Sequence, residues 1–341
     1  MERQTLESIA ELAGVSRSTV SRVVNNQSGV RSEVRQRVLS VIDQTGYRPN
    51  PAARSLAGQR ANTIGLVIAE PAQSLFADPY FPRLIQGITQ ASNAKDLTLS
   101  LFLFHTKEEE AKLYPKIMGN RLFDGLIVTG THMDDPLIPD LIDNQVPFVL
   151  VGYHDNPSVN FIDSDNLTGS HTAVTHLIRL GYKRIAHITG DLNNYAAINR
   201  RDGYLNALRD RGHVINEDII IEADYTEAGG YSAMERLIRK NIDAVFVASD
   251  TMAQGAIRAL NYHNIRIPED IAVIGFDDLL HRSNLVPTLT TVRQPIKRVG
   301  SMVVDTLMDV LENGIAPARR IVLPTELIIR ESCGAIRETN S

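Results

Sequence analysis

The chain has 341 residues, 43% of them hydrophobic and 22% charged, with a net charge of −5; the length suggests two or three domains, and the composition is that of an ordinary globular protein. One cysteine, Cys333, excludes an intramolecular disulfide framework and fits a reducing compartment. No apolar run approaches the roughly 18 residues of a membrane span, and no apolar stretch follows the polar start Met1-Glu2-Arg3-Gln4, so neither a span nor a signal peptide is expected.

The charge is uneven along the chain. Residues 1–60 hold nine arginines, no lysine and five acids, a balance of +4 that leaves −9 on the rest. A basic head on an acidic body is the pattern of a nucleic-acid-binding module joined to a sensor. Thr5 suits the cap of a first helix, along which Leu6, Ile9, Ala10 and Ala13 recur at helical spacing. Gly14 allows a turn, Ser16 caps a second helix, and Val20, Val23 and Val24 give it a buried face. At roughly 100° per residue the opposite arc carries Arg17, Ser18, Ser21, Arg22 and Asn25. A third helix starts near Arg31 or Ser32, turns Val34, Val38, Val41 and Ile42 inward, and ends before Gly46.

Two short helices across a glycine turn, supported by a third, form the helix-turn-helix arrangement, whose second helix fits the major groove. Arg17 and Arg22 are candidates for forked hydrogen bonds to guanine, and Thr19, Ser21 and Asn25 for phosphate contacts. A generic three-helix bundle with a solvated polar face is the alternative. Next, Asn50-Pro51-Ala52-Ala53-Arg54-Ser55-Leu56-Ala57-Gly58 reads as a two-turn helix with a cap, a first-turn proline and a terminal glycine. It falls below the roughly 12–15 residues a helix needs to stand alone. It is either a plain linker or a coupling segment that is helical only when held.

From Thr63 the pattern changes to strands such as Ile64–Ala69, Gly125–Val128, Phe148–Val151, Arg184–Thr189, Ala244–Val247 and Ile271–Gly275, alternating with amphipathic helices. This predicts a doubly wound α/β body with parallel sheets. The pattern restarts near Asp163, which suggests two similar halves facing a cleft, and the segment near 290 is expected to cross back to the first half. Ligands in such sheets sit at the carboxyl ends of strands. That rule selects loops Glu70–Tyr80, Gly130–Asp134, Gly152–Asp155, Gly190–Asn199, Ala248–Asp250 and Phe276–Asp278.

The run from Thr5 to Asn25, with Gly46-Tyr47-Arg48-Pro49-Asn50 and Ala53-Arg54-Ser55-Leu56-Ala57-Gly58 after it, resembles the head and hinge of the lactose/galactose repressor family. The resemblance covers nearly the whole chain. It implies a helix-turn-helix head at 1–49, a hinge helix and linker at 50–61, a periplasmic-binding-protein-like effector body at 62–331 and a tail at 332–341. Within the body, one subdomain is expected at 62–162 plus 290–323 and the other at 163–289 plus 324–331. The implied DNA-binding set is Thr5, Ser16, Arg17, Ser18, Thr19, Ser21, Arg22, Asn25, Ala53 and Leu56, with Leu56 as a minor-groove wedge and Ala53 allowing two hinge helices to approach. Arg200 matches the family's ligand-binding arginine and Asp277 its hydroxyl-binding aspartate. Ser249, Asp165, Phe76, Asp78 and Phe81 complete the implied ligand set. Chemically it suits a sugar, since carboxylates accept hydroxyl groups and aromatic rings offer stacking faces. Salt-bridge, turn and core roles are the alternatives for Arg200, Asp277 and the two phenylalanines.

The expected protein is a cytoplasmic repressor that binds a palindromic operator in double-stranded DNA as a homodimer, with a sugar effector, no cofactor and no membrane. A solute receptor without DNA function is the rival. No P-loop, nucleophile elbow or spaced histidine pair supports an enzyme.

Overall fold

The computed structural model describes residues 4–24, 27–47, 60–118, 123–279 and 285–335. They divide into an N-terminal unit through Thr63 and a body that makes up the bulk of the chain from Ile64. The expected hinge over 50–58, with Ala53 and Leu56, lies outside the described residues, as does Asn25.

The N-terminal unit is built on local signals. Helix α1 spans Leu6–Ala13, α2 Arg17–Val24 and α3 Ser32–Thr45. Thr5 and Ser8 form a reciprocal capping box, Thr5 Oγ1 accepting from Ser8 N at 3.3 Å and Ser8 Oγ from Thr5 N at 2.9 Å. Gly14, at φ 62°, ends α1 in a left-handed conformation that costs glycine little. Ser16 Oγ accepts from Thr19 N at 3.2 Å and so starts α2. Ile9, Ala10, Ala13, Val20, Val23 and Val38 form the core, each valine or isoleucine stabilising by about 1.5–3 kcal/mol on full burial. Val24, Val34, Val41 and Ile42 are only half-buried.

The body begins with β1 (Thr63–Pro71), α4 (Ala72–Ala77), α5 (Tyr80–Ala94), β2 (Thr98–Phe104), α6 (Lys107–Met118), β3 (Gly125–Thr129), α7 (Leu137–Asp143), β4 (Phe148–Val151) and β5 (Phe161–Ser164). It continues with α8 (Asn166–Arg179), β6 (Ile185–Thr189), α9 (Tyr195–Asp210), β7 (Ile220–Glu222), α10 (Glu227–Leu237), β8 (Ala244–Val247), α11 (Asp250–Tyr262) and β9 (Ala272–Asp277). It closes with β10 (Thr290–Arg293), α12 (Ile296–Asn313), β11 (Arg320–Leu323) and β12 (Glu326–Ile328).

Two six-stranded sheets result, ordered β11-β5-β4-β3-β1-β2 in lobe one and β12-β10-β9-β8-β6-β7 in lobe two. Strands β1, β3 and β4 are apolar without alternation because helices cover both faces of a parallel sheet. Helix α12 returns to lobe one and packs on α5 so closely that a Cβ on Gly87 would lie 2.4 Å from the carbonyl oxygen of Lys297.

The chain passes between the lobes after β5, after β10 and between β11 and β12. This corrects the expectation that residues 290–293 belong to the first half: β10 runs parallel to β9, with Thr291 opposite Gly275, and the crossing falls at Gln294-Pro295. A short, buried strand reads the same in either sheet, and only its neighbour distinguishes them. Two loops also carry helix where none is expected: α4 inside Glu70–Tyr80, and the start of α9, where Asn194 Oδ1 accepts from Ala196 N at 2.8 Å.

Candidate ligand cavity and nucleic-acid face

On α2, Arg17, Ser18 and Arg22 are exposed, while Thr19 and Ser21 are half-buried. Arg17 Nε lies 2.6 Å from Glu7 Oε1 of α1. The Glu7 carboxyl is held below its ordinary range, chiefly by backbone hydrogen bonding at the helix start, then by Thr5, with a further contribution from Arg17. Ser16 Oγ sits 2.8 Å from Ser18 Oγ and 2.9 Å from Thr19 Oγ1. Thr5, Ser16 and Thr19 are thus tied into caps, and the exposed face is led by Arg17, Ser18 and Arg22.

A cavity of about 460 Å³ opens between the lobes at the carboxyl ends of both sheets. Arg200 anchors its deep end. The early start of α9 places Arg200 on that helix's buried face, beside Ala197, Gly203 and Tyr204. Its Nε donates to Asn166 Oδ1 at 2.8 Å and its Nη1 to the Ala248 carbonyl. The guanidinium lies 3.9 Å from the Phe276 ring centroid, and Nη1 is 3.7 Å from Asp277 Oδ1. Asp277 ends β9 at φ 118°, followed by Asp278 at φ 59°. Two non-glycine residues in such backbone are costly and need surrounding support. Arg293 and Arg330 supply it by pairing with Asp278, and Gln294 Nε2 donates to Asp277 Oδ1 at 2.6 Å.

Asp163 and Asp78 approach the same end from lobe one. Asp163 accepts from Ser164 N at 2.8 Å and from Asn166 Nδ2 at 3.3 Å, and Asp78 accepts from Tyr80 N at 3.0 Å. Burial raises the pKa of all three carboxyls: Asp163 is pushed up to about 6, Asp78 is raised, and Asp277 rises well above the usual range despite Arg200. Tyr225, at φ 63°, lies over Gly190, where a Cβ would come within 2.1 Å of its ring. Its buried hydroxyl has no hydrogen-bond partner among the described residues.

Nearer the mouth, the lobes touch. Tyr195 Oη donates to Asp155 Oδ2 at 3.1 Å, and its ring meets Tyr153 edge-on at 5.5 Å. Met133 N donates to Asn193 O at 2.9 Å. His132 lies 3.9 Å from Glu70 and 3.7 Å from Asp191.

Of the expected ligand residues, Asp78, Phe81, Arg200 and Asp277 line the cavity. Three do not. Phe76 is 79% exposed on α4, because that unexpected helix turns it outward while burying Leu75. Asp165 caps α8, accepting from Thr168 N at 2.9 Å, and Ser249 caps α11, accepting from Met252 N at 3.2 Å. In both cases the side-chain oxygen is committed to a helix amide. Asp163, Asn166, Tyr225 and Gln294, which stand outside the expected ligand set, line the cavity as well. A strand end two residues before a helix cap is the one sequence signal that would have found Asp163.

Among the described residues no group of acids, histidines or cysteines is placed to hold a metal ion, and no helix is long and apolar enough to cross a membrane. A helix-turn-helix unit and a two-lobed body with a polar cleft define the class of ligand-binding DNA regulators. Residues 5–50 match the bacterial regulatory proteins of the lacI family, and residues 174–333 match the periplasmic binding protein-like domain. The chain is 36% identical over 336 residues to the HTH-type transcriptional regulator CelR of Thermobifida fusca, covering 97% of this chain and 98% of that protein. A solved complex of CelR with cellobiose superposes with a TM-score of 0.77 at 35% identity, over 97% of this chain and all of that one. The lac repressor dimer bound to operator and the anti-inducer ONPF gives a TM-score of 0.84 at 27% identity, over 97% of this chain and 99% of that one. The chain belongs to the lacI family of bacterial regulatory proteins; it is a transcription regulator, as these relatives are, and not an enzyme.

Proposed function

We propose that this protein is a cytoplasmic repressor of carbohydrate-metabolism genes that binds a palindromic operator as a homodimer and is controlled by a sugar in the cleft. One observation carries the reading: polar and aromatic side chains from both lobes of the body converge on one cavity, in a chain that also carries a helix-turn-helix unit. Lobe one supplies Asp78, Phe81 and Asp163, and lobe two supplies Arg200, Tyr225 and Asp277. A ligand touching both sides binds the closed cleft better than the open one, and this difference in affinity is what lets it shift the lobes. CelR in complex with cellobiose and the lac repressor dimer on its operator support both halves of the reading.

The test is fluorescence anisotropy of the full chain on an operator selected from random palindromic sites. It is titrated with mono- and disaccharides at fixed salt, because phosphate contacts make affinity steeply salt-dependent. One sugar should change operator affinity at least tenfold. Specific DNA binding indifferent to every sugar would remove the effector half, and absence of specific DNA binding would remove the whole.

A further inference from the structure

The lining of the cavity is lopsided in charge. At the deep end Asp78, Asp163 and Asp277 face the single guanidinium of Arg200, and Glu70 and Asp191 add carboxylates on either side of His132. Among the described residues no other arginine or lysine lines the cavity. Arg200 is also already engaged, by Asn166, the Ala248 carbonyl, the Phe276 ring and Asp277. A phosphoryl or carboxyl group is held by forked, charged donors, and here it would meet acids instead. The three deep carboxylates still have acceptor capacity. An ionised carboxylate offers about four acceptor sites and a protonated carboxyl keeps part of that capacity beside its own O–H, whereas Asp78 receives one donor, Tyr80 N, and Asp277 receives Gln294 with Arg200 at longer range. Sugar hydroxyls are the neutral donors that fill such sites.

We infer that the effector is an uncharged saccharide whose hydroxyls donate to Asp78, Asp163 and Asp277, and that the charge of the lining rejects the phosphorylated and acidic forms of the same sugar. The inference deepens the sugar reading and rests on it. The hydroxyl of Tyr225, buried at the same end without a hydrogen-bond partner among the described residues, adds a neutral group that bonds a hydroxyl in either sense.

Calorimetric titration of the full chain without DNA tests it, using glucose, galactose, mannose and cellobiose beside their 6-phosphates, glucuronic acid and glucosamine. At least one neutral sugar should bind, and its phosphate should bind at least 100-fold more weakly. In Asp163→Asn that gap should narrow at least tenfold, even though the neutral sugar also binds less well. A phosphate or uronic acid binding within tenfold of the neutral sugar would overturn the charge selection and leave the sugar reading standing. Glucosamine binding more than tenfold tighter than glucose would overturn the uncharged assignment. If no sugar of any charge bound, the sugar reading and this inference would fall together.

Discussion

The exposed face of α2 and the deep end of the cavity are both polar recognition surfaces, but they are held in opposite ways. Arg17, Ser18 and Arg22 stand in water over a small apolar core, and their helix owes its position to Val20 and Val23 beneath. Arg200, Asp163 and Asp277 are recessed among aromatic and apolar groups, and each is fixed by other polar groups. Recognition at the head is therefore separable from folding, while recognition in the cavity is entangled with it. A buried ion network contributes little net stability when whole and costs a great deal when one partner is lost.

The sharpest way to break this comparison is Arg200→Met. It leaves Asp277 facing Asp78 and Asp163 without their cation, and denaturant unfolding should show a loss of about 3–5 kcal/mol, together with loss of effector binding. Stability within about 1 kcal/mol of the parent would mean that the network is not coupled as described. Arg22→Ala is the contrasting experiment. Operator affinity should fall by about 1–3 kcal/mol, mainly at one base position, while the unfolding curve and effector affinity stay put. A fall in thermal stability would show that the head's polar face is structural after all.

Acidity gives a smaller effect. Burial lifts the Asp163 carboxyl to about pH 6, so the folded, ligand-free protein holds a proton there that the unfolded chain releases near pH 4. Stability from this group is highest below that range and is lost as the pH rises through 6. A hydroxyl of the proposed sugar, donating to this carboxyl, favours the ionised form, so the effector should raise the melting temperature more at pH 7 than at pH 5. Asp163→Asn should flatten the difference; an unchanged difference would assign it elsewhere, to Asp78 or Asp277, which share the same surroundings. The smallest effect is at Asp165. Asp165→Asn should keep the α8 cap and all functions, and Asp165→Ala should cost about 1 kcal/mol of stability without changing effector affinity. A selective loss of effector binding would return Asp165 to the ligand set.

What could be read from the sequence follows the same division. The head was legible to within a residue because its caps, turns and apolar spacing are local. So were β4 and β8, bounded by sharp changes from apolar to polar residues. The cavity was legible as a set of strand ends, and Arg200, Asp277, Asp78 and Phe81 of the expected ligand set lie in its walls. It was not legible at Asp165 and Ser249, where an acid or hydroxyl next to a strand end serves either a ligand or the helix that follows. The three-residue spacing from Asp165 to Thr168 and from Ser249 to Met252 is that of an N-cap. Tyr225 was hidden for another reason: its place over Gly190 is a contact between loops far apart in the chain.

The three crossings between the lobes also have a consequence for how the protein is made. Lobe one is not complete until β11, so its sheet waits for residues 320–323, although its first strand is finished by Pro71. The head can close after residue 47. At the roughly 5–20 residues per second of synthesis, some tens of seconds separate a folded head from a body able to hold its effector. During that interval each nascent regulator carries a DNA-reading surface without the lobe that governs it.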